Sequence, residues 1–253
     1  MISRAILSLF ILSAFSIQLS AQTDTTKENA NTVATDNYIP QNEFRTVRLG
    51  IIGSLGASWM GPKTTEYSSY GSTLAYSYGL LIDYNFTKRY TFSTGINLSR
   101  LGGKLNYPDS ASVVNSTKVL GSMYRAYHIN YLEIPTLLKL KTNQMGYLTY
   151  FVQLGLRHSF RLSSYSNDEF IYNNATKTLT TKNNDMHDYT TFYRLSLSLG
   201  IGAEYAISQT FSAYGYINYG NGLTNSLKKS NTISGKKENA FISKLSITTG
   251  FLF

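Results

Sequence analysis

Between Tyr193 and Ile207 every second residue is apolar: Tyr193, Leu195, Leu197, Leu199, Ile201, Ala203, Tyr205 and Ile207. The residues between are Arg194, Ser196, Ser198, Gly200, Gly202, Glu204 and Ala206. Successive side chains of a strand point to opposite faces, so this period of two predicts one strand with a continuous apolar face. The run is about twice the common strand length. Its apolar face begins and ends in aromatic territory, and its polar face is mostly Gly and Ser with one cation and one anion. That combination suits a strand that crosses a bilayer within a closed barrel.

The same pattern recurs along the chain. Arg45 to Trp59 places Val47, Leu49, Ile51, Leu55, Ala57 and Trp59 opposite Arg48, Gly50, Ser54, Gly56 and Ser58. Leu74 to Phe86 and Tyr90 to Leu101 flank Thr87-Lys88-Arg89, which predicts a hairpin. Ala126 to Leu140 has a less clean period, with Leu132, Ile134, Leu138 and Leu140 opposite Glu133, Pro135 and Lys139. Pro135 lacks a ladder donor, which predicts a bulge or bend. Tyr147 to Leu162 follows the short turn at residues 142–146. Thr210 to Gly220 carries aromatics on both faces, so its parity stays open. Ala240 to Phe253 closes the series with Phe241, Leu245, Ile247, Phe251 and Phe253 on one side.

This reading predicts eight strands. Three connections are short, and four (60–73, 102–125, 163–190 and 220–239) read as long loops. Short turns at one end and long loops at the other are the pattern of a bacterial outer-membrane barrel, with an even count putting both ends on the periplasmic side. The fold class expected is an all-β, eight-stranded antiparallel transmembrane barrel. A soluble, lipocalin-like barrel would turn the same stripes inward. Three features decide against it: the apolar face is too bulky for an eight-stranded interior, the polar face is small, and Tyr and Trp gather near strand ends.

The N-terminus adds a destination. Met1-Ile2-Ser3-Arg4 precedes an apolar run to Leu19, then Ser20-Ala21-Gln22. One early cation, a short apolar core and a small residue before a polar start describe a signal peptide cleaved after Ala21. Residues 1–21 are therefore read as a signal peptide, 22–44 as a flexible periplasmic lead and 45–253 as the barrel. The alternative, an N-terminal anchor, lacks the ~20 apolar residues of a spanning helix. No Cys is present, which excludes disulfides and thiolate metal sites. Lys and Arg number 23 against 14 Asp and Glu, yet charged residues are only 15% of the chain. A soluble surface wants roughly 25–35%. Export argues against nucleic acid as the partner of the basic excess. Outer-membrane lipid, surface glycolipid and other envelope or secretion proteins are the partners expected instead.

Tyr131-Leu132-Glu133-Ile134-Pro135 with Leu137-Leu138-Lys139 resembles the PorT-like outer-membrane β-barrel family. The Gly-rich first strand (Gly50, Gly53, Gly56) and the final Phe253 fit the same resemblance. It implies an eight-stranded barrel in the outer membrane. One family member is associated with type IX secretion, and the resemblance carries no catalytic residue.

With the polar face inward, Arg48, Asp83, Glu133, Lys139, Arg157, Arg161, Arg194, Glu204 and Lys244 are expected in the lumen. An isolated buried charge is costly, so these must pair. Arg157 and Arg194 are the first candidates to partner Glu133 and Glu204. Such a network either plugs the barrel or lines a narrow cationic pore. The narrow interior of eight strands favours the plug. Asp185, His187 and Asp188 form the one loop cluster with metal or general-base chemistry, but a solvated loop explains it as well. Lys228, Lys229, Lys236 and Lys237 put a basic cluster in the last loop. The function expected is a non-enzymatic interaction or assembly component without cofactor or metal. A narrow pore is the alternative, and a loop-site enzyme the second.

Overall fold

In the computed structural model the described residues are 44–112, 118–173, 178–228, 235 and 238–253. Residues 1–21, read above as a signal peptide, lie outside them, as do all of 22–44 but Phe44, and Lys229, Lys236 and Lys237. Among the described residues nine strands form one antiparallel sheet: β1 (Val47–Pro62), β2 (Ser68–Asn85), β3 (Tyr90–Ser112), β4 (Lys118–Lys141), β5 (Leu148–Tyr172), β6 (Thr178–Asp185), β7 (Tyr193–Ala206), β8 (Ser212–Gly222) and β9 (Ala240–Leu252). Among the described residues no helix is long and apolar enough to cross a membrane.

Eight strands close on themselves. The order runs β4-β3-β2-β1-β9-β8-β7-β5, and β4 pairs with β5 to complete the ring. β6 pairs with β5 alone and stands outside the ring. The pairing can be followed once round, from Arg48 through Asp83, Ser93, Leu137, Gly155, Ser198, Gly220 and Lys244 to Ser58. The circuit returns to β1 ten residues higher, from 48 to 58. That stagger gives strands tilted by about 35–45° and an interior just wide enough for side chains. Leu49 and Phe253 exchange backbone hydrogen bonds of 3.0 and 2.8 Å where the first and last strands meet.

The apolar stripes face out. Leu197, Leu199 and Ile201 are 42, 54 and 63% exposed, while Ser196 and Ser198 between them are buried. β8 resolves the open parity: Tyr214 and Tyr216 point inward, Ile217 and Tyr219 outward. Pro135 makes no bulge. Thr94 pairs with Thr136 and Asn97 with Glu133 in one unbroken register, with the ladder open only between them, facing Pro135. The register shift comes instead in the β4–β5 pairing at Asn130/Tyr131, where Leu162 is the extra residue on β5.

The long-loop readings need correction. β3, β4 and β5 run for 23, 24 and 25 residues, and the segments read as loops 102–125 and 163–190 are largely strand. A tilted spanning strand needs only ~9–11 residues. The surplus forms a sheet that rises beyond the apolar belt. There the two faces exchange character. On β3 the outward series Phe92, Ile96, Leu98 gives way to Arg100, Lys104 and Asn106, while the inward series changes from Ser93, Asn97 and Ser99 to Leu101, Leu105 and Tyr107. On this strand the chain is apolar outside and polar inside below the switch; above it, the reverse.

Candidate functional site: the filled interior

The inward residues stack in four strata from the short-turn end. The lowest is ionic. Arg48 Nη1 donates to Glu204 Oε2 at 3.0 Å, and Lys139 Nζ donates to Asp83 Oδ2 at 2.6 Å. Lys139 and Lys141 also lie 3.5 and 3.2 Å from Glu204 Oε1. Ser93 Oγ donates to the other Asp83 oxygen at 2.6 Å, so that carboxylate is bonded on both sides. The register explains the gathering: Asp83 stands opposite Arg48 on one side and Ser93 on the other, and Lys139 stands opposite Thr91, the inward neighbour of Ser93 on β3.

The second stratum is apolar: Ile52, Leu81, Phe151, Tyr214, Tyr216 and Leu252. Lys139 Nζ lies 4.9 Å from the Phe151 ring centre and 5.5 Å from that of Tyr214, which couples the two strata by cation–π contact.

The third is ionic again and centres on Glu133. Lys244, Arg157 and Arg194 surround its carboxylate at 3.8, 3.9 and 4.0 Å. These are ion pairs beyond direct hydrogen-bond reach. The direct bonds go elsewhere. Arg157 Nε donates to Ser198 Oγ at 3.0 Å, Arg194 Nη2 to the Ile242 carbonyl at 2.8 Å, and Ser159 Oγ to Glu133 Oε1 at 3.3 Å. Three cations therefore share one buried carboxylate.

The fourth stratum caps the lumen above the belt. Met60, Leu101, Leu105, Tyr127, Ile129, Tyr131, Met186, Leu227 and Ile242 pack into one core at no more than 1% exposure. Tyr67 stacks on Tyr107 with ring centres 4.4 Å apart, and its hydroxyl donates to Glu238 at 2.8 Å. Over this core Arg125 grips Asp168 with Nε and Nη2 at 2.7 and 2.8 Å. Burial alone would push the Asp168 carboxyl up. The Arg125 contacts, with those from Ser166 and Asn184, outweigh it and hold the group below the ordinary carboxylate range. Burial, then Tyr127, pushes the Tyr107 phenol well above its usual value.

All nine charged residues read from the sequence as inward are buried. They do not form one network. Arg157, Arg194, Lys244 and Glu133 make one cluster and Arg48, Asp83, Lys139 and Glu204 another. Neither Arg157 nor Arg194 partners Glu204, which Arg48 and two lysines hold instead. Arg161 joins neither: it donates to the His187 and Thr190 carbonyls and to Thr190 Oγ1. Lys141 and the Arg125–Asp168 pair escaped the sequence reading, the first because it sits at a strand end, the second because its strands read as loops. His187 faces Arg161, with Nε2 3.1 Å from Nη2, while Asp185 accepts the His187 backbone N–H at 2.9 Å. Among the described residues no group of three or more His, Asp or Glu gathers where a metal would be held. At the short-turn mouth a cavity of about 270 Å³ opens among Arg48, Lys141, Thr149 and Glu204.

A family model described as an outer membrane protein beta-barrel domain matches residues 41–228. No curated protein matches the chain. Among solved structures, Neisserial surface protein A is similar at 11% identity and a TM-score of 0.37, covering 81% of this chain and 96% of that one. OprG from Pseudomonas aeruginosa is similar at 11% identity and 0.37, covering 81% and 93%. The outer membrane protease OmpT from Escherichia coli is similar at 12% identity and 0.35, covering 82% and 94%.

Proposed function

The chain belongs to the outer membrane protein beta-barrel domain family, and from that premise we propose that it is a non-enzymatic, non-conducting barrel that serves as an interaction or assembly component of the envelope. Residues 1–21 act as a cleaved export signal in this reading. The charged lumen residues are structural: they neutralise one another and fill the barrel. The working surface is the sheet formed by the upper parts of β3, β4, β5 and β6, with other envelope proteins and surface glycolipid as its partners. A secretion-associated role is the specific form that the PorT-like stretch Tyr131–Lys139 suggests.

The observation that carries the reading is the filled interior. The Glu133 cluster lies between two apolar strata, and side chains such as Leu101, Tyr127 and Tyr131, all at 1% exposure or less, fill the lumen above it. A chain that only needed to span would also not need strands of 23 to 25 residues. The extension is where the chain has invested its surplus.

The test is a trimmed hairpin. Replacing Pro108 to Ser122 by a two-residue turn removes the tip of β3–β4 above the Tyr107–Met123 pair and leaves every lumen cluster in place. The variant is expected to reach the outer membrane at wild-type level and to lose formaldehyde cross-links to neighbouring envelope proteins in intact cells. An unchanged cross-link pattern would overturn the reading.

A further inference from the structure

The upper edge of the apolar belt is uneven. On β3 and β4 the outward residues turn polar at Arg100 and Asn130. Arg100 stands opposite Tyr76 of β2 and opposite Asn130 of β4, and Asn130 opposite Ser163 of β5. One position higher or beside them, the flanking strands still present Leu74 and Leu162, 67 and 54% exposed. Arg100 and Asn130 thus occupy a polar notch cut into the belt. Lys104 and His128 rise directly above it, with His128 opposite Gly102 on β3 and opposite Tyr165 on β5.

Tyrosines frame the notch. The Arg100 guanidinium lies 5.9 Å from the Tyr76 ring centre and 5.1 Å from that of Tyr165. Lys104 Nζ lies 5.9 Å from the Tyr70 ring, and the His128 ring 5.2 Å from Tyr165. These contacts orient the cations without neutralising them. Among the described residues no carboxylate pairs with Arg100 or Lys104. Burial, then Arg100 and Lys104, pushes the His128 imidazole below its ordinary value, so it is neutral near pH 7 and offers an N–H donor.

We propose that this notch binds the phosphate-bearing headgroup of an outer-leaflet glycolipid, with Arg100 and Lys104 contacting phosphate and Asn130 and His128 donating to the sugar. The height argues for it. The cations sit where the belt ends, at the depth of a headgroup, and the belt dips where they do. A lipid whose acyl chains lie against Leu98 and Leu132 carries its phosphates to this level. Basic clusters at a membrane boundary recognise anionic headgroups in this manner. The proposal rests on the reading that the long-hairpin end faces the cell exterior.

The full chain in nanodiscs is titrated with a bisphosphorylated glucosamine-disaccharide lipid, the same lipid dephosphorylated, and phosphatidylglycerol, read by native mass spectrometry. Wild type is expected to prefer the phosphorylated glycolipid over both. Arg100→Gln/Lys104→Gln is expected to weaken that binding about 25-fold, roughly fivefold per cation, and Lys88→Gln, exposed in the short turn at the opposite end of the barrel, to leave it unchanged. Should the double variant fail to fold, Lys104→Gln/His128→Asn gives the same readout with Arg100 in place. Equal affinity for phosphorylated and dephosphorylated lipid, or no loss in the variants, would overturn the site. Tighter binding of phosphatidylglycerol would overturn the choice of glycolipid. Sidedness is read separately. Lys182→Cys supplies the sole thiol of a chain without cysteine. Failure of an impermeant maleimide to label it on intact cells would overturn the outer-leaflet assignment, whatever the lipid titration shows.

Discussion

Lys139 and Asp83 meet inside the barrel with Nζ and Oδ2 2.6 Å apart, at 1 and 0% side-chain exposure. Removing one partner leaves an uncompensated buried charge, whereas removing both does not. Lys139→Met is expected to destabilise the folded barrel by about 3–5 kcal/mol. Lys139→Met/Asp83→Asn is expected to recover most of that loss. Urea unfolding in lipid vesicles measures both; equal losses in the single and double variants would contradict the pairing.

Glu133 makes the opposite arithmetic. It is the one carboxylate among Lys244, Arg157 and Arg194. Neutralising any one cation leaves two to balance it. Neutralising Glu133 leaves three like charges together. Glu133→Gln is therefore expected to cost at least about 1 kcal/mol more than Arg157→Gln, Arg194→Gln or Lys244→Gln alone, in the same unfolding assay.

The exchange of faces above the belt gives a positional prediction. Leu199 faces out within the belt and Asn106 faces out above it. Leu199→Arg is expected to lower stability in vesicles by about 2–4 kcal/mol, and Asn106→Arg by a small fraction of that. Comparable costs at the two positions would place the belt elsewhere.

That exchange also explains what could and could not be read in advance. The strands of the belt announce themselves because hydrocarbon demands an unbroken apolar stripe. Tyr193 to Ile207 shows it most plainly, and the inward position of Glu133 and Glu204 follows from the same period. Above the belt the alternation keeps its phase while the solvent outside changes from lipid to water. Arg100 then replaces an outward leucine, Leu105 an inward serine, and the segment reads as a loop. β6 was illegible for another reason: Thr178–Asp185 has no apolar face, and only its pairing with β5 makes it a strand. Tyr214 and Tyr216 hid the parity of β8 because an aromatic suits either the girdle or the lumen. Which cation meets which carboxylate depends on the stagger of the ring, and no single strand contains it. Lys141 reaches Glu204 for that reason alone.

Asp168 sets the acid limit of the upper core. Its folded value lies below its unfolded value, about 3.9, because Arg125 holds the charged form. The stabilisation is present above the unfolded value and is lost as pH falls through the folded one. Near-ultraviolet circular dichroism, to which the Tyr67–Tyr107 stack contributes, is expected to stay constant from neutral pH down to about 5 and to fall below about 4. Asp168→Asn is expected to weaken the signal at neutral pH and abolish the acid step. A transition near pH 6–7, where histidines titrate, would contradict the assignment to this pair.

The most direct test of the account is conductance. The purified full chain, refolded and inserted in a planar bilayer, is predicted to give no stable single-channel steps, because the Glu133 cluster and the core above it fill the lumen. Stable steps whose conductance or ion selectivity changes with Arg157→Ala would show an open cationic path and contradict it.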